Sequence, residues 1–107
     1  MPLSRDFRFS VKKRAAHDPA YRNDLLREAM EELLSGDAKI GRTILRDCVH
    51  ATIGFAGLGD AMHRSPKSLM RMLGPDGNPQ ADNLLQILAV LQKEMNVHLK
   101  VKVVHGR

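Results

Sequence analysis

The sequence predicts an all-α domain of about five helices that ends in a single strand. Three observations carry this. Apolar residues recur at spacings of three and four through most of the chain. Capping residues, prolines and glycines stand where those stretches begin and end. Strict apolar/charged alternation is confined to the last eleven residues.

In residues 6–17, Phe7, Val11 and Ala15 lie four apart on one helical face and the bases fall elsewhere. Asp18-Pro19 then starts a helix, with Asp18 as N-cap and Pro19 at the first helical position. Its apolar set is Leu26, Met30, Leu33 and Leu34, and Gly36 suits the left-handed residue after it. Asp37 can cap the next helix, which runs to about Thr52 with Ile40, Ile44, Leu45 and Cys48 as a stripe opposite Lys39, Arg42 and Arg46. Phe55, Leu58, Ala61 and Met62 mark a third, held by packing because three glycines weaken it. Ser65-Pro66 opens a short helix with Leu69, Met72 and Leu73 on its buried side. The turn at residues 74–79 follows, and Leu84, Ile87, Leu88, Leu91 and Met95 define the best-formed helix of the chain. Val97, Leu99, Val101 and Val103 then alternate with His98, Lys100 and Lys102. A lone strand leaves its backbone donors and acceptors unpaired, so these four apolar residues are expected at the interface of a homodimer. The organisation expected is a helical pair over 1–37 for packing or dimerisation, a helical region over 38–96 that holds the candidate helix-turn-helix, and a strand and tail over 97–107.

Function points to the two short helices around residues 61–65. Joined by about three residues, they match a helix-turn-helix, in which the second helix enters the major groove of double-stranded DNA. Lys67, Ser68 and Arg71 lie opposite Leu69, Met72 and Leu73; Arg or Lys can donate to guanine O6 and N7, and Ser to base edges or phosphate. Arg64 and the helix start at Ser65 suit phosphate contact.

The run 58–73, with Ser65, Ser68-Leu69, Arg71 and Leu73, followed by Gly74-Pro75-Asp76-Gly77-Asn78-Pro79 and Asn83-Leu84-Leu85, resembles the addiction module antidote proteins. These are prophage-type helix-turn-helix regulators of the lambda-repressor-like class. The resemblance is strong over 54–91 and looser before it. It implies sequence-specific DNA binding, often as a repressor of an operon that also encodes a toxin. In place of the family's usual residues, the chain has His63 for a turn glycine, Gly59 for an alanine and Arg64 for an apolar residue. His63 implies an altered turn and Arg64 looser packing beneath the second helix.

Charge agrees with a polyanionic partner. Seventeen Lys and Arg against twelve Asp and Glu give +5, but residues 1–17 hold five bases and one acid while 18–37 hold two bases and six acids. Three Phe and one Tyr supply little for stacking on single strands, so groove binding is expected. One cysteine, Cys48, excludes an internal disulfide and reads as a packed thiol. The five histidines form no metal-ligand spacing, and no P-loop or nucleophile elbow occurs, so neither cofactor nor enzymatic activity is expected. Met62, Met70, Met72 and Met95 read as core or interface residues. With no apolar run near the roughly 18 residues of a membrane span and no secretory signal, a cytoplasmic protein is expected. Two other readings stand beside DNA regulation. One is an antitoxin that holds a toxin protein through the terminal strand or the basic first helix; the other is nonspecific binding to DNA by charge alone.

Overall fold

The computed structural model describes residues 18–106, which form an all-α unit of five helices: α1 (Pro19–Ser35), α2 (Ala38–Ala51), α3 (Gly54–Met62), α4 (Pro66–Met72) and α5 (Ala81–Met95). The helix expected over residues 6–17 lies outside them. Local chemistry sets most boundaries. Asp18 Oδ1 accepts from the Tyr21 N–H at 3.2 Å, and Asp37 Oδ1 from that of Ile40 at 3.2 Å, each satisfying a donor that a helix start leaves open. Gly36 closes α1 at φ 97°, a conformation that costs a side-chain-bearing residue about 1–2 kcal/mol. Its N–H and that of Asp37 turn back to carbonyls of the last turn.

Leu26 and Ala29 from α1 share one core with Leu45, Cys48 and Val49 of α2, Phe55 and Leu58 of α3, Leu69 and Leu73 around α4, and Ile87, Leu88 and Leu91 of α5. α1 packs most extensively on α2. Two residues expected inside are not: Leu34 is 69% exposed and Ile40 48%. Both flank the α1–α2 turn, where the close contact is made instead by Gly41, buried so tightly against Leu33 that a Cβ would lie 2.6 Å from the Leu33 side chain. Ala29 is buried in their stead.

After α5 the chain is extended and forms no ladder among the described residues. Val97 and Leu99 pack half-buried against the chain's own core, and Gln92 Oε1 accepts from the Leu99 N–H at 2.8 Å. The alternation is thus used internally as far as Leu99. Beyond it Val101 is 81% exposed and Val103 92%. Among the described residues, no helix is long and apolar enough to cross a membrane.

Candidate nucleic-acid interface

Helices α3 and α4 meet at a three-residue turn, His63-Arg64-Ser65. His63 ends α3 in the left-handed region, φ 55° and ψ 45°, so the turn keeps the conformation a glycine would favour. Both its N–H and that of Arg64 return to the Gly59 carbonyl, the latter at 3.0 Å. Gly59 explains how the turn closes so tightly. A Cβ there would lie 2.6 Å from the Arg64 carbonyl oxygen, so alanine could not occupy this position without displacing backbone.

Ser65 then caps α4, its Oγ accepting from the Ser68 N–H at 3.1 Å, with Pro66 at the first position. Seven residues are too few to hold a helix in water. Leu69 and Leu73, at 0% and 1% exposure, anchor α4 to the core. The opposite face is consequently oriented by packing: Lys67 and Arg71 are exposed and Ser68 is half-buried beside them. Arg64 is exposed as well, and its Nη2 donates to Asn83 Oδ1 of α5 at 2.9 Å. It therefore does not lie beneath α4, where it would have loosened the packing. It ties the turn to the first turn of α5 instead.

Arg64, Ser65, Lys67, Ser68 and Arg71 thus all belong to one turn and the helix it leads into. Around Arg71 the surface is concave. One hollow of about 240 Å³ is lined by Ser68, Arg71, Met72, Asp76, Gly77 and Asn78, and another of about 290 Å³ by Arg46, Met70, Arg71, Gly74, Pro75 and Asp76. Met70, at 39% exposure, sits at this surface and not in the core. Arg46 comes from α2, a residue the sequence places on a basic stripe without giving it a role; only the fold brings it beside Arg71.

The remaining chemistry is sparse. Cys48 is fully buried, and desolvation pushes its thiol up to about 12, so it is no nucleophile near neutral pH. Among the described residues no three His, Cys, Asp or Glu gather in a group that could hold a metal ion. His50 stands edge-on to Phe55, with ring centroids 5.0 Å apart. Comparisons with protein-family models, curated proteins and solved structures find no match to this chain.

Proposed function

We propose that the chain is a DNA-binding protein whose α3–turn–α4 unit acts as a helix-turn-helix of lambda-repressor-like type, with α4 as the recognition helix. Within that class it is a sequence-specific transcriptional regulator that represses its own operon. The observation that supports this most directly is the capped, internally anchored α4, which holds Lys67 and Arg71 outward on a helix too short to form unaided. Arg71 and Lys67 would donate to base edges, with Ser68 beside them, while Arg64, held by Asn83, would contact phosphate.

A homodimer completes the reading. Extended residues Val101 and Val103 would pair with those of a second copy, and each protomer would take one half-site, spaced by about one turn of DNA or a multiple of it. A second reading, antitoxin action on a toxin protein, draws on the same exposed tail: Val101, Val103 and Val104 are open to any chain that offers a strand edge. A mobility-shift titration on the region upstream of the chain's own gene, with random duplex as competitor, tests the primary reading. Arg71→Ala should weaken operator binding by about 1–3 kcal/mol and relax specificity, whereas Arg64→Ala should weaken all duplexes alike. Binding indifferent to both substitutions would remove this face from the interface. Pull-down with the neighbouring reading frame's product, without an operator shift, would favour the antitoxin.

A further inference from the structure

The arginines of α2 have no role in the reading above, yet their setting is unusual. Nε of Arg42 and Nε of Arg46 are both buried and have no hydrogen-bond partner among the described residues. A buried donor left without an acceptor is costly, the more so when it belongs to a charged group. The ion pairs formed between described residues are those of Arg27 with Asp24 and Glu31, on α1. Both arginines are half-buried, so their stems are packed down while part of each side chain remains accessible.

Their placement gives this a direction. Arg46 shares the 290 Å³ hollow with Arg71 of α4, and Arg42 lies one turn earlier on the same face of α2, about 6 Å along its axis. Exposed Lys39 extends the row by a further three residues. Asp76 is the hollow's one acid, so two arginines line it against one aspartate. Residues 38–79 as a whole carry six bases and three acids, whereas the acidic residues 18–37 lie on the preceding helix and its ends. A row of cations on one helix, continuous with the α4 face, fits the regular negative charge of a nucleic-acid backbone.

We infer that Arg42 and Arg46 form a second phosphate-binding element, a clamp that grips the sugar-phosphate backbone of the same duplex whose groove receives α4. This rests on the DNA-binding reading and adds to it: α4 supplies sequence preference, α2 supplies affinity without preference. Guanidinium groups suit the task because they stay charged and can offer a phosphate two parallel N–H donors.

The test uses the full chain and a random-sequence duplex, measuring affinity by fluorescence anisotropy across a salt series. Arg42→Gln/Arg46→Gln should lower the slope of log affinity against log salt by about 1.8, since each phosphate contact contributes about 0.9, and should weaken specific and random duplexes by the same factor. Arg42→Lys/Arg46→Lys should keep most of the slope. Thermal melting checks that the variants fold. In the unaltered chain, phenylglyoxal modification read by mass spectrometry should show Arg42 and Arg46 protected by the duplex while Arg27 stays reactive. An unchanged slope in a folded Gln variant, or equal modification of Arg42 and Arg46 with and without duplex, overturns the clamp. If Arg71→Ala still weakens binding in that case, the α4 reading survives alone; an unaltered chain that binds no duplex removes both.

Discussion

His63 and Gly59 show how one residue's conformation is settled by another's size. A histidine at φ 55° costs about 1–2 kcal/mol that glycine would not incur, offset in part by the unfolded-state freedom glycine adds. His63→Gly should therefore raise stability by about 0.5–1 kcal/mol in a denaturant titration. Gly59→Ala should do the reverse, losing about 1–3 kcal/mol as the Cβ meets the Arg64 carbonyl. Cys48 allows a prediction in pH. Burial raises its pKa to about 12 from an ordinary value of 9.0, so the folded chain retains a proton that the unfolded chain releases. Its contribution to stability is complete below about pH 9 and is lost as pH rises toward about 12. Chemical denaturation from pH 8 to 11 should show the wild type losing more stability than Cys48→Ala, and thiol reagents should label Cys48 only on unfolding.

The helices differ in how much of them is local. α1 and α2 begin at Asp18-Pro19 and at Asp37 because an aspartate three residues before an open N–H needs nothing from the rest of the chain. The same holds for α4 and Ser65, and Ser65→Ala should cost about 1 kcal/mol in thermal or denaturant melts. That loss falls on the element presented to the duplex, so DNA affinity should fall with it. Periodicity correctly set Leu69, Met72 and Leu73 on one side of α4 and Lys67 and Arg71 on the other. It overreached at Leu34 and Ile40, because a stripe of apolar residues states which face can be buried and a neighbouring helix decides how far along it is. Met70 is exposed for the same reason: the core is filled by Leu69 and Leu73 and has no need of it.

At the scale of the molecule, the terminal segment divides at Leu99. Val97 and Leu99 belong to the monomer's core, so a truncation that removes them should destabilise the fold. Ending the chain after Lys100 separates the two roles. That variant should melt within a few degrees of the full chain yet sediment as a monomer, if exposed Val101 and Val103 make the dimer. A persistent dimer would move the interface elsewhere. The all-α architecture, the starts of α1, α2 and α4 and the separation of Lys67 and Arg71 from the apolar side of α4 were determined by the sequence itself, since capping and helical spacing act over a single turn of backbone. Tertiary structure alone decided that Arg46 stands beside Arg71 and that Arg64 reaches Asn83. These are meetings between residues 25 and 19 positions apart in the chain, and they depend on how helices pack, which no local spacing encodes.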